Sequence, residues 1–328
     1  MPLTVDDSFR QFQRDTVDLD PETVECGRQT VQNLAGQLNT ILLDKSDSFP
    51  KPVPELHTIY GSFQRGTKIR ELDEINLLLC LDLEGAQESR SRANRYIINT
   101  SKGNERLQKF ADTDQLNSTA LLLRLEELVE ELPGFRKAHL HQKGKAVALY
   151  LEEHDWRFDL VPCFKINEDC YLMPDGTGNW TPTKPGKATQ PILRANEEKE
   201  GKLLSLIRLL KYWNKHSAAP TIPAYVFELM VADFANSKAN LSWWTDFNVM
   251  SFFGFLSQRI WGRVSDPNEI LPDLNPFSVE EKRLITMAVE EARSVARRAI
   301  DSETQDENHK LAIAQWREIF GKGYPQYG

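Results

Sequence analysis

Apolar positions between Pro21 and Leu43 recur with helical spacing, at Val24, Val31, Leu34, Leu38 and Leu42, and Pro21 suits a first helical turn. This stretch is predicted as one long helix, broken by the prolines between Ser46 and Pro54. Two short apolar runs follow around a turn, LHTIYGSFQRGT and EINLLLCLDL, and the second has the length and apolar density of a buried strand. Residues 116–131 (LNSTALLLRLEELVEE) read as a second amphipathic helix, closed by Pro133-Gly134. Three strands are predicted next, FRKAHLHQ, AVALYLEE and WRFDLVPCF, the first two separated by Lys143-Gly144-Lys145, and they extend the first pair into a mixed sheet. Met173 to Arg194, with its glycines, prolines and Trp180, reads as a long ordered loop. From Glu197 onward the period is helical, through LLSLIRLLKYWNK, AYVFELMVADFAN, NVMSFFGFLSQRIWG and a helix opened by Ser278 with Glu280 and Glu281 in its first turn. HKLAIAQWREIFG is predicted as a last short helix.

The pattern describes an α+β protein with a mixed-sheet lobe over residues 1–198, including the long N-terminal helix as a spine, and a helical lobe over 199–328. A length of 328 residues agrees with two lobes, and 40% hydrophobic with 27% charged residues is a globular composition. The opening MPLTVDDSFRQF carries early acids and no apolar core of a signal peptide, and no stretch approaches the ~20 apolar residues that span a bilayer. The expected location is cytoplasmic, with no membrane partner. A net charge of −8 argues against a surface built for duplex nucleic acid. Small basic clusters (Arg65, Lys68 and Arg70; Arg208, Lys211 and Lys215) suit a mononucleotide triphosphate or a solvated face. None of the four cysteines has zinc-ligand spacing; Cys80 and Cys163 lie in apolar runs and read as buried free thiols.

Chemistry concentrates around the first strand pair. Gly61-Ser62 directly follows a strand, where glycine permits a tight turn and the hydroxyl and amides can face a phosphate; alone, ordinary turn chemistry explains such a pair. Strand alternation puts Glu74 and Asn76 on one face, with Asp73, Ile75 and Leu77 on the other. Asp159 sits in the apolar run RFDLVPCF, where a carboxylate is costly unless paired or bound to a cation. Two readings are open: Glu74, Asn76 and Asp159 as oxygen ligands of Mg²⁺ for phosphoryl transfer, or structural ion pairs of Glu74 and Asp159 with arginines such as Arg65 or Arg157. His139 and His141 have the spacing of a two-histidine site but no third ligand near in sequence, so an exposed strand face is expected. Trp180 is expected to pin its loop, and Trp243-Trp244 and Phe252-Phe253 to pack the helical lobe.

GSFQRGTKIRELDEINLLLCL resembles the nucleotidyltransferase signature of a Gly-Ser loop followed by an acid-x-acid strand, as in cyclic GMP-AMP synthase and the bacterial CD-NTase group. FDLVPCF, GNWTPTKPGKA and LIRLLKYWNK with IPAYVFELMV resemble further segments of that group, in the family's order over residues ~56–232. The resemblance implies a polymerase-beta-like nucleotidyltransferase fold with nucleotides bound in the cleft between the lobes, and synthesis of a cyclic di- or trinucleotide from nucleoside triphosphates (ATP and GTP or pyrimidine NTPs). Further implied are Mg²⁺ or Mn²⁺ as cofactor, a product-activated effector as partner, and an antiviral role. Gly61 and Ser62 would hold the triphosphate, Glu74, Asn76 and Asp159 would occupy the metal positions, Lys211 would reach the phosphates, and Tyr225 would stack on the base, although by its place in an amphipathic helix Tyr225 reads equally as a core aromatic. Ala224 stands where relatives carry a phosphate-binding serine. Asn76 is the departure, since the family has an acid there; it implies a form altered to trap substrates or a nucleotide-binding pseudoenzyme. A nucleotidyltransferase acting on another acceptor is the remaining alternative.

Overall fold

The computed structural model describes residues 1–45, 47–90, 95–141, 143–152 and 156–328. Ser46, Gln142 and Glu153, at the ends of predicted segments, therefore lie outside the described residues. The helices in chain order are α1 (Val5–Phe12), α2 (Pro21–Asp44), α3 (Glu105–Gln108), α4 (Ser118–Val129), α5 (Pro185–Glu198), α6 (Lys202–His216), α7 (Ala224–Asn236), α8 (Thr245–Arg259), α9 (Val279–Thr304) and α10 (His309–Phe320). The strands are β1 (Thr58–Tyr60), β2 (Glu74–Leu81), β3 (Gln87–Arg90), β4 (Tyr96–Asn99), β5 (Ala111–Asp112), β6 (Gln115–Leu116), β7 (Phe135–His141), β8 (Ala146–Leu151), β9 (Arg157–Lys165), β10 (Tyr171–Pro174) and β11 (Trp180–Thr183).

Two compact units divide the chain, each discontinuous in sequence. A sheet unit comprises Pro21–Gln64 and Leu72–Ala188, and a helical unit comprises Met1–Asp20, Arg65–Glu71 and Thr189–Gly328. The sequence-based boundary near 198 falls close to the last of these crossings, at Thr189; the earlier ones leave no mark in the hydrophobic pattern.

In the sheet unit the strand order is β1-β2-β9-β10-β11-β4-β6-β5, with β3 on β4 and β7-β8 joined through β9. β2 and β9 run parallel, while β8 and β10 flank β9 antiparallel, β8 along its first half and β10 at its end. Strand alternation sets the burial: Ile75, Leu77, Leu79 and Leu81 of β2 and Phe158, Leu160 and Phe164 of β9 are buried on one face. α2 contributes buried Leu34, Leu38 and Leu42, the predicted stripe, and α4 packs on β7, β8 and β10. The Asn117 carboxamide caps α4 by accepting from the Thr119 and Ala120 amides at 2.8 and 3.2 Å.

The helical unit is built on the predicted helices, with a Ser278–Glu281 capping box opening α9. Its N-terminal segment is a core element that the pattern did not announce. Thr4 caps α1, and Phe9 meets Trp316, Phe320 and Tyr324 edge-on at 5.0, 5.9 and 5.3 Å between ring centroids. Phe252 and Phe253 are fully buried, as expected.

Two expectations are corrected. Residues 173–194 are not a loop: β10 and β11 form a hairpin turned through Gly176 and Gly178, both at positive φ, and α5 starts at Pro185. Strands of four residues are too short to register a period, and the prolines that suggested a loop lie in the strands (Pro174, Pro182), at the start of α5 (Pro185) and inside that helix (Pro191). Trp180 is buried on β11, donating its Nε1–H to the Leu116 carbonyl at 3.0 Å, so it does pin this region. Trp243 and Trp244 are not core but 80% and 57% exposed, because they precede α8 in the chain rather than lying on its buried face. The Lys202 ammonium sits 3.4 Å over the Trp243 ring.

Candidate nucleotide site

Three neighbouring strands of the sheet unit assemble one polar surface. In the parallel β2–β9 register Glu74 lies beside Arg157, Asn76 beside Asp159, Leu78 beside Val161 and Cys80 beside Cys163. Opposed residues share a face, so one side of the sheet is polar at the start of both strands and apolar farther along, where Leu78, Cys80, Ala146, Val161 and Cys163 form a buried cluster. Tyr60, the last residue of β1, is the register partner of Asn76, and Gly61 follows it at φ +84°. A side chain there would place its Cβ 3.4 Å from Asn76 Nδ2, so the Gly-Ser turn begins against the Asn76 amide. Ser62 is half-buried in that turn. Of the sequence-predicted residues, Gly61 and Ser62 follow β1, Glu74 and Asn76 lie on β2 and Asp159 lies on β9, three neighbouring strands of the sheet unit.

Asp159 is fully buried, and its charge is met by Arg157. Arg157 Nε–H donates to Asp159 Oδ1 at 2.8 Å and Nη2–H donates to Glu74 Oε2 at 2.5 Å. Of the two arginines weighed as ion-pair partners, Arg157 holds both carboxylates. Burial opposes the Arg157 charge, but Asp159 and Glu74 outweigh it and raise its pKa. Burial, reinforced by Asp159, Cys163 and Glu74, also raises the Tyr60 phenol and keeps it neutral. Among the described residues no three His, Cys, Asp or Glu side chains group to hold a metal. The oxygen donors on this face are the Glu74 and Asp159 carboxylates, both held by Arg157, and the carboxamide oxygen of Asn76 beside Asp159. That donor chemistry fits a hard divalent cation.

Behind this surface His57 ties three elements together. The Cys80 backbone N–H donates to His57 Nδ1 at 3.1 Å, leaving Nε2–H to donate to Asn39 Oδ1 of α2 at 3.1 Å. Burial lowers its pKa to about 4. Cys80 and Cys163 are buried free thiols, as expected. His139 and His141 are half-buried rather than exposed, and His139 stacks on Tyr150 at 5.4 Å.

Lys211 and Tyr225 belong to the helical unit, where a buried ionic cluster gathers around Glu228 of α7. This carboxylate is fully buried and accepts from Arg65 Nε at 2.7 Å, Thr67 Oγ1 at 2.8 Å and Lys211 Nζ at 2.6 Å. Lys211 also donates to the Thr67 carbonyl at 2.8 Å, and the Arg65 guanidinium lies 5.0 Å over the Tyr225 ring. Burial lowers the Lys211 pKa, against the opposing pull of Glu228. Arg208 is engaged elsewhere, by Asp18 at 2.8 Å. Glu228 and Thr67 were missed in sequence; the available signal was an acid inside the apolar helix FELMVADF, the same signal that singled out Asp159.

No protein-family model matches the chain. In fold it is similar to E. coli MS115-1 CdnC, solved with ATP, at a TM-score of 0.70 and 15% identity over 98% of both chains. In sequence it is 26% identical over 185 residues to the cyclic AMP-AMP-AMP synthase of Acinetobacter sp. (strain ATCC 27244 / 9458), covering 51% of this chain and 50% of that protein. It is 30% identical to the probable cyclic nucleotide synthase IK1_05630 of Bacillus cereus (strain VD146) over 343 aligned residues, which take in 100% of this chain and 99% of the relative. A match of that extent runs through the Gly-Ser turn, both carboxylate strands and the whole helical unit, and the chain belongs to the CD-NTase family of cyclic nucleotide synthases.

Proposed function

We propose that this chain joins nucleoside triphosphates through their ribose hydroxyls into a cyclic di- or trinucleotide, with turnover limited by Asn76. The observation that carries the reading is the convergence of Glu74, Asn76 and Asp159 on one sheet face beside the Gly61-Ser62 turn. Gly61 contributes a turn with no Cβ, so backbone amides and the Ser62 hydroxyl can approach a triphosphate. Glu74, Asn76 and Asp159 would hold Mg²⁺ or Mn²⁺. When bound, the cation supplies Lewis acidity towards the triphosphate and the attacking hydroxyl. Asn76 offers a carbonyl oxygen of nearly the shape of an aspartate but without its charge, so the site carries one negative charge fewer than an all-carboxylate triad. For the helical unit the family resemblance gives Lys211 to a phosphate and Tyr225 to a base; there Arg65 and Lys211 share the single carboxylate of Glu228. ATP and GTP or pyrimidine nucleotides are the substrates this entails, and a product-activated effector in antiviral signalling is the downstream partner.

The test is to incubate the native chain and an Asn76→Asp variant with all four labelled ribonucleoside triphosphates and Mg²⁺ or Mn²⁺, then resolve phosphatase-resistant products. The variant should make cyclic products at a rate well above the native chain. Asn76 itself favours one second reading, a nucleotide-binding pseudoenzyme. That reading takes over when neither protein makes product while both bind nucleotide.

A further inference from the structure

The arginine between the two carboxylates does more than neutralise them. Arg157 stands opposite Glu74 in the β2–β9 register and two residues before Asp159 on the same face. Its Nε–H and Nη2–H are directed to Asp159 Oδ1 and Glu74 Oε2, and Nη2 lies 3.5 Å from Asp159 Oδ2. The oxygens it engages are those that the reading above assigns to a divalent cation. Glu74 and Asp159 carry two negative charges and Arg157 one positive, so with neutral Asn76 the cluster is left with a single net negative charge. A divalent ion on the same oxygens would meet both fewer free lone pairs and the repulsion of the guanidinium at a few ångströms. The Arg157 side chain is 20% exposed, against 0% for Asp159, so the arginine is the member of the pair with solvent to move into.

We propose that Arg157 is an internal counter-ion that occupies the acidic face and must withdraw before a divalent cation binds, so that Arg157 together with Asn76 sets the metal affinity of this chain. The inference rests on the assignment of Glu74, Asn76 and Asp159 as the metal site. It differs from a purely structural ion pair in one respect. Both readings make removal of Arg157 destabilising without metal, because the two carboxylates lose the cation they share; only the counter-ion reading makes the same change improve metal binding and lets metal restore the lost stability.

The experiment titrates Mn²⁺ into the full chain without nucleotide, following free Mn²⁺ by electron paramagnetic resonance, and melts the same samples. Removing a unit positive charge from within a few ångströms of the cation should tighten Mn²⁺ binding in the Arg157→Gln variant by roughly tenfold or more. Arg157→Lys should stay near the native affinity. The Arg157→Gln variant should melt below the native chain without metal and recover with Mn²⁺. An unchanged or weaker affinity in Arg157→Gln alongside a tighter one in Asn76→Asp overturns the counter-ion role and leaves the metal site standing. If native, Arg157→Gln and Asn76→Asp chains all bind no better than a Glu74→Gln, Asp159→Asn double variant, the metal site itself falls and this inference with it. Should Arg157→Gln fail to fold, the ¹⁵Nε resonance of Arg157 in the native chain decides: it should move on Mg²⁺ addition, and a fixed resonance at saturating Mg²⁺ refutes displacement.

Discussion

Replacing Glu228 by glutamine tests the ionic cluster of the helical unit at its centre. The carboxylate is fully buried and accepts from Arg65, Thr67 and Lys211, whose cationic side chains are themselves only 8% and 9% exposed. Glutamine preserves the volume, so no cavity opens. What changes is charge and donor count: one acceptor oxygen becomes an NH₂ that faces a cation, and two buried cations lose the carboxylate they share. Breaking a buried pair by removing one partner costs about 3–5 kcal/mol, and the near-complete burial of all three groups places Glu228→Gln in that range. Equilibrium urea unfolding reads the loss as a lower midpoint at constant slope. Adding Lys211→Met removes one stranded cation, so the double variant should recover at least about 1 kcal/mol relative to Glu228→Gln alone. A single-variant loss below about 1 kcal/mol, or a double variant less stable than the single one, would refute the idea that Glu228 holds the cluster together.

Further outcomes follow from the sheet unit. Gly61→Ala meets only an ordinary contact with Asn76 at 3.4 Å, so its cost should be that of a left-handed backbone alone, about 1–2 kcal/mol in the same unfolding assay; a cost above about 4 kcal/mol would mean that packing, not φ, demands glycine. The same variant should weaken triphosphate binding, measured by calorimetry, because the added Cβ stands where the backbone would approach the phosphates. His57 carries a pKa of about 4 in the fold against about 6.5 unfolded, so the unfolded chain binds the extra proton first. Its contribution is fully present above pH 6.5 and is lost as the pH falls towards 4, and a His57→Gln variant should show a flatter stability profile across that window.

Part of the site was legible because its chemistry breaks a local rule. Asp159 is a carboxylate in an apolar strand, Gly61 sits where a strand must turn, and Glu74 and Asn76 are two residues apart on one strand face. Glu228 broke the same rule in α7 and was passed over, because an acid on a helix has a solvent-facing default that a strand interior lacks. α1 was missed since eight residues carry too little periodicity to stand out, although Phe9 and Phe12 bury completely. The exposed Trp243 shows the converse error, an aromatic counted as core on residue type alone.

Local pattern alone determined the elements that bury a repeating face: α2, the helices from α6 to α10, and the apolar strands β2, β8 and β9. It also determined which side of β2 carries the polar pair, since alternation follows from backbone geometry. Tertiary structure decided the rest. Only the parallel register of β2 on β9 puts Asp159 beside Asn76 and Arg157 beside Glu74, and only the fold gives Arg65 to Glu228 and Arg157 to Glu74. Those pairings join residues 83 and 163 positions apart in the chain, where no local period can reach. A charge takes its partner from whatever the packed elements bring within hydrogen-bonding distance, and that distance is a property of the fold, not of the sequence spacing.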